Sequence, residues 1–202
     1  MQAKQRTLLN PDDAIVIVCA GGGGYGDPIM RDPAAVLADL DSGLVSEKVA
    51  KDVYGVCRHA ARGERDSDID VEATTVLRKE IRARRLSEGN RLSTRRPVVH
   101  RGEKHSGLLA QNIGAALDRL ETNAGPRYVC RHCKHPICCE NEDPKSGALA
   151  RLVKMENLSH WNGYGLVDEI VVREFCCPKC AHLIAVEVRR KDDPVLYDTC
   201  LG

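Results

Sequence analysis

Two Cys-x-x-Cys pairs, Cys130-Arg131-His132-Cys133 and Cys177-Pro178-Lys179-Cys180, constrain this chain more than any other feature. Each pair turns two sulfurs to one side of a tight bend, and a second pair from farther along the chain can close a tetrahedron. Zinc is the expected occupant, with iron in a rubredoxin-like site as the alternative. Four thiolates fill the coordination sphere, so a metal held by Cys130, Cys133, Cys177 and Cys180 braces the fold and performs no chemistry. Cys138, Cys139 and Cys176 compete as ligands. Cys177 is preferred to Cys176 because only the former has the two-residue spacing to Cys180. His132, His135 and His182 can substitute as ligands but are read as solvated loop residues.

Of the 202 residues, 43% are hydrophobic but only 3% aromatic. Such a core is aliphatic and thin, which suits a chain braced by metal or by partner chains. Ten cysteines would fit a disulfide scaffold if they were evenly spread, but only Cys19, Cys57 and Cys200 lie apart from the clustered ones. Met1 to Asp13 is polar and the apolar run Ala14 to Ala20 is too short to span a bilayer, so neither a leader nor a membrane span is expected. The reducing cytoplasm is the expected setting.

The run Ala14 to Ala20, rich in β-branched residues and ended by glycines, predicts a buried strand. Gly21 to Pro28 predicts a turn. Two short helices should follow. The first is capped by Asp32, with Pro33 at its first position, a stripe of Val36, Leu37 and Leu40, and a stop at Gly43. The second is capped by Ser46, with Val49, Ala50 and Val53 on one face, and ends at Gly55. A third helix is expected over Val71 to Leu86, burying Ala73, Val76, Leu77 and Ile81 beneath a cover of Arg78, Lys79, Arg82, Arg84 and Arg85. Residues 87–105 read as a basic linker, and Ser106 should open a fourth helix with Leu109, Ile113, Ala116, Leu117 and Leu120 on one side. Strands over Val167 to Phe175 and Leu183 to Val188 place the second cysteine pair at a hairpin tip. The division is thus 1–86, 87–105 and 106–202, in an α+β chain.

Other signals are weaker. The loop Gly21 to Gly26 can cradle phosphate, but lacks the Gly-Lys-Ser/Thr ending and the spacing of a dinucleotide fold, so a packing or interface turn is preferred. Val76 to Lys104 carries ten Lys/Arg against three Asp/Glu, although the whole chain has a formal charge of only +1. That stretch can serve a zinc-ribbon nucleic-acid-binding regulator. The absence of aromatic stacking residues between Val56 and Gly107 favours a solvated face or an acidic protein partner instead. No catalytic residues are assigned, because no self-contained catalytic motif occurs.

Two family resemblances meet in the chain. Gly21-Gly22-Gly23-Gly24-Tyr25-Gly26-Asp27-Pro28, Arg31-Asp32-Pro33, Gly43-Leu44-Val45-Ser46, Tyr54-Gly55-Val56 and Asp70-Val71-Glu72-Ala73-Thr74 resemble the C-terminal tail of hydantoinase B/oxoprolinase-type subunits. From about Gly107 onward, the two cysteine pairs, Arg173-Glu174-Phe175-Cys176, Val186-Glu187-Val188 and Pro194-Val195-Leu196-Tyr197-Asp198 resemble the gamma subunit of acetone carboxylase. Lys134 and Ala181 replace the glycine usual after each pair, and the insert lacks an Asn-Tyr-Lys segment. Such a fusion is similar to what the aromatic-ketone relative, acetophenone carboxylase, would contain.

These resemblances imply a structural zinc subunit of an ATP-dependent, biotin-independent ketone carboxylase. Residues 1–86 would dock, the strand Ala14 to Ala20 would join a sheet of a larger subunit, and a zinc-ribbon-like β module would follow. The larger hydantoinase A-like and hydantoinase B-like subunits would use ATP with Mg²⁺ or Mn²⁺ in the hetero-oligomer. Neither nucleic acid nor membrane is an expected partner.

Overall fold

The computed structural model describes residues 8, 10–12, 24–59, 68–91, 111–123, 125–154 and 169–196. The strand expected over 14–20, the glycines at 21–23, residues 92–105 of the expected linker, and Cys19 and Cys200 lie outside the described residues.

The helices start and stop where their polar and glycine residues dictate. Asp27 caps a single 3-10 turn, Pro28–Met30, by accepting from the Ile29 N–H. Helix α1 (Pro33–Asp41) begins at Asp32, whose carboxylate accepts from the Ala34 N–H, and the chain leaves it through Gly43 at φ +75°. Helix α2 (Glu47–Asp52) is capped by Ser46 accepting from the Val49 N–H, and Gly55 turns the chain at φ +62°. The two helices enclose Val36, Leu37 and Ala50, joined by Val56. Helix α3 (Val71–Glu88) is capped by Asp70 and fastened to this cluster where the Cys57 N–H donates to Thr74 Oγ1 at 3.0 Å.

Two features of α3 differ from expectation. Val76, assigned to the buried side, is 51% exposed. Arg85, assigned to the solvated cover, is buried. Hydrophobic spacing located the helix, but the surface it meets is polar as well as apolar, so a paired arginine occupies the inner face.

The described strands form two antiparallel sheets. One runs β2 (Gln111–Ile113), β3 (Leu117–Leu120), β4 (Arg127–Cys130), β5 (Pro136–Cys139). The other runs β1 (Asn90–Arg91), β6 (Leu149–Lys154), β7 (Ile170–Cys176), β8 (Leu183–Arg190). Between them lies α4 (Pro144–Gly147), capped by Asp143. The fourth helix expected after Ser106 is therefore corrected to the β2–β3 hairpin. Its apolar residues obey helical spacing, but Gly114 at φ +61° reverses the chain and brings Ile113 opposite Leu117. Within the expected linker, Asn90 and Arg91 pair with β6.

Both cysteine pairs sit at hairpin tips, one beyond β4 and one beyond β7. The largest core cluster forms around them: Ala116, Leu117, Tyr128, Ile137 and Cys138 pack with Cys130 and Cys177. A buried ionic group then fixes the end of the described chain. Arg173 donates to Glu187 Oε1 at 3.0 Å and to the Asp193 carbonyl at 2.6 Å, while Lys145 donates to the Leu196 carbonyl at 2.6 Å.

Candidate metal centre

The two tips are near copies of one another. At the first, the Lys134 N–H donates to the Cys130 carbonyl at 2.8 Å and the Cys130 N–H to the His135 carbonyl at 2.9 Å. At the second, the Ala181 N–H donates to the Cys177 carbonyl and the Cys177 N–H to the His182 carbonyl, both at 2.9 Å. Closing such a turn requires a left-handed residue after the second cysteine. Lys134 and Ala181 occupy that position at φ +57° and +58°, at a local cost of about 1–2 kcal/mol each.

The sulfurs of Cys130, Cys133, Cys177 and Cys180 all lie within 4.8 Å of one another. Cys130 and Cys180 are 3.6 Å apart, as are Cys133 and Cys177. A tetrahedron with Zn–S bonds of about 2.3 Å has edges of about 3.8 Å. The short edges already have that length, and closure of the longer ones onto an ion needs shifts of about 1 Å. The donor set suits zinc or iron, and the four expected ligands are the ones brought together.

The electrostatics of the cage separate one sulfur from the rest. The Cys130 thiol is pulled down to about 4, chiefly by a hydrogen bond from Cys177 and then by the N–H groups of Cys133 and His132, against the effect of burial. Cys177 is pushed up by sharing that hydrogen bond and by burial. The competing thiols are of another kind. Burial pushes Cys138 and Cys176 up to about 12, so they remain protonated and behave as small core residues.

Each tip is held by a buried aspartate that sequence reasoning did not single out. Asp118 on β3 accepts from Arg131 Nε at 3.0 Å and Lys134 Nζ at 2.7 Å, gripping both sides of the first tip. Asp27, from the glycine-rich turn, accepts from the Leu183 N–H at 3.0 Å beyond the second tip. Arg85 of α3 donates to both Asp27 oxygens, at 3.0 and 2.9 Å, and to the Ala181 carbonyl at 3.2 Å. The reading of His182 as a solvated residue is corrected: it is buried, 3.5 Å from Asp27 and stacked on His132 at 5.8 Å between ring centroids. The sole sequence trace of Asp27 was its place between the last glycine of the turn and Pro28.

Among the described residues, no other group of three or more His, Cys, Asp or Glu side chains converges as a metal site, and no helix is long and apolar enough to cross a membrane.

Comparison with known proteins adds what the geometry leaves open. A family model described as the acetone carboxylase gamma subunit matches residues 108–201. The acetone carboxylase alpha subunit of Xanthobacter autotrophicus is 34% identical over 112 residues, 54% of this chain and 14% of that protein. Caprolactamase subunit beta of Pseudomonas jessenii is 52% identical over 54 residues, 26% of this chain and 9% of that protein. The acetophenone carboxylase delta subunit of Aromatoleum aromaticum is 42% identical over 51 residues, 25% of this chain and 8% of that protein. The chain spans at most 14% of the length of these curated relatives. Over residues 108–201 the chain is similar to the acetone carboxylase gamma subunit.

Proposed function

We propose that this chain is a non-catalytic subunit of an ATP-dependent, biotin-independent ketone carboxylase, with Cys130, Cys133, Cys177 and Cys180 holding a structural zinc ion. The observation that carries the reading is the convergence of four sulfurs, from two hairpin tips, inside the segment similar to the acetone carboxylase gamma subunit. A four-sulfur cage gives a bound metal no open position, so its contribution is to join the two sheets. The chemistry then belongs to larger hydantoinase A-like and hydantoinase B-like subunits, which would use ATP with Mg²⁺ or Mn²⁺. Acetophenone and bicarbonate giving benzoylacetate is the reaction we favour, and the relative named as an acetophenone carboxylase subunit supports that choice. Residues 1–86 would be the docking segment and 106–202 the zinc-ribbon-like module, joined through 87–105. The strand proposed over 14–20 would add to a sheet of a larger subunit. The cytoplasm is the proposed setting.

The test is purification of the tagged chain from its native cells, with mass identification of the co-purifying chains and elemental analysis. Larger subunits, one zinc per chain, and bicarbonate uptake into a ketone that requires ATP are expected of the complex. A chain that purifies alone, or a complex whose turnover is independent of ATP and bicarbonate, would overturn the proposal.

A further inference from the structure

Helix α3 has two faces, and only one packs against other described residues. Thr74, Ile81 and Arg85 point inward and are buried. Val76, Lys79, Ala83 and Leu86 fall at helical spacing along another face, and all four are exposed. From Val76 to Leu86 this stripe runs about 15 Å, close to three turns. Its C-terminal part forms one wall of an open cleft of about 510 Å³, bounded on the other side by Lys179 and Cys180 of the second cysteine tip and His132 of the first. Lys79, Arg82 and Lys179 supply the charge of the cleft, Ala83, Leu86 and Cys180 supply apolar surface, and none of the lining residues is acidic.

The walls are held at a fixed separation. On the inner side of α3, Arg85 reaches the Ala181 carbonyl directly and Leu183 through Asp27. The lysines of the cleft differ from many of the described cations. Arg31, Lys48, Arg58, Arg119, Arg131, Lys134, Arg151 and Arg173 all pair with carboxylates. Lys79 and Lys179 form no ion pair among the described residues. Unpaired cations on both walls around an apolar floor match a segment that carries carboxylates and aliphatic side chains together. A small anion has no use for the apolar stripe, and the stripe offers nucleic acid no aromatic platform.

We infer that this cleft is the docking site for an acidic, aliphatic-bearing segment of a larger subunit of the complex. The inference rests on the proposed subunit role and specifies where on the chain one contact is made.

The experiment uses the assembled complex. Carbodiimide coupling, which joins a lysine amine directly to a touching carboxylate, is followed by mass mapping of the linked peptides. In parallel, Lys79→Glu/Lys179→Glu and Ala83→Arg variants are assembled with the larger subunits. Links from Lys79 or Lys179 to Asp or Glu of a larger subunit are expected in the wild type. Charge reversal should weaken assembly roughly tenfold or more, with metal content unchanged. Ala83→Arg should weaken assembly by filling the cleft, and it replaces the double variant as the test if that variant loses metal. Full assembly of both variants, with links only elsewhere, overturns the cleft while leaving the subunit role intact. A wild-type chain that co-purifies with no larger subunit removes both. Retardation of RNA or DNA that charge reversal abolishes, with subunit assembly unaffected, also overturns the inference.

Discussion

Asp27 and Arg85 form an ion pair that is closed off from water, 58 residues apart in sequence and beside a cysteine tip to which neither belongs. The Asp27 side chain is 0% exposed and that of Arg85 4%. Removing Asp27 leaves the buried Arg85 facing Glu174 at 4.0 Å, whereas removing both charges leaves only backbone groups such as the Leu183 N–H and the Ala181 carbonyl without these partners. Asp27→Ala should cost about 3–5 kcal/mol, and Asp27→Ala/Arg85→Met should recover part of that loss. Denaturant unfolding of the full chain with metal bound measures both. A double variant no more stable than the single one would show that Asp27 acts through the Leu183 N–H rather than through Arg85.

Adjacent cysteines provide a direct test of which sulfurs form the cage. Cys176 and Cys177 are both buried, but only Cys177 lies in the four-sulfur group. Cys177→Ala should abolish tight metal binding, and Cys176→Ala should retain one metal per chain with a modest loss of core packing. Elemental analysis after gel filtration distinguishes them. Chelation of the wild type should unfold the region of residues 111–196. Metal binding at such sites contributes on the order of 10–16 kcal/mol, comparable to the whole stability of a small domain at about 5–15 kcal/mol. Loss of near-ultraviolet dichroism on chelation is the expected signal.

What the sequence disclosed follows the range of the interaction that specifies it. Asp32, Ser46 and the glycines at 43 and 55 act on neighbours within a few residues, so α1 and α2 were legible from the chain alone. The cage was legible for the same reason: each tip is a local turn with a fixed cysteine spacing, and only the meeting of the two had to be supposed. The β2–β3 hairpin was not, because Leu117 and Leu120 satisfy helical spacing and only Gly114 signals reversal. Asp27 was beyond reach. Its partners Arg85 and Leu183 are 58 and 156 residues away, and no periodicity records a pairing at that distance.

A backbone contact beneath the first tip gives a prediction for a residue with no side chain. Gly147 ends α4 where it crosses β5, and a Cβ there would lie 1.9 Å from the Ile137 carbonyl oxygen. Neither backbone can yield alone, because Ile137 belongs to the cluster that surrounds the sulfurs. Gly147→Ala should therefore destabilise by about 1–3 kcal/mol or more, and lower metal affinity with it. Competition against a chromogenic chelator reads the second effect, and unchanged affinity would mean that α4 shifts as a body.

Acid should act on the first tip through Asp118. Burial works to raise its pKa, but the hydrogen bonds from Lys134 and Arg131 outweigh it and hold the carboxyl below its usual range. A depressed folded pKa means that this group's stabilisation is fully present above the unfolded value, about 3.9, and fades as pH falls through the folded one. Asp118→Asn should cost about 2 kcal/mol at pH 7, from the loss of two charge-assisted hydrogen bonds. The gap between wild type and variant should narrow as the pH drops below about 4. Protonation of the four converging sulfurs would weaken any metal they hold in both proteins, so the difference between them, and not either curve alone, reports Asp118. Unfolding titrations of the pair across pH 3–7 provide the measurement, and a gap independent of pH would show that Asp118 titrates alike in the folded and unfolded chain.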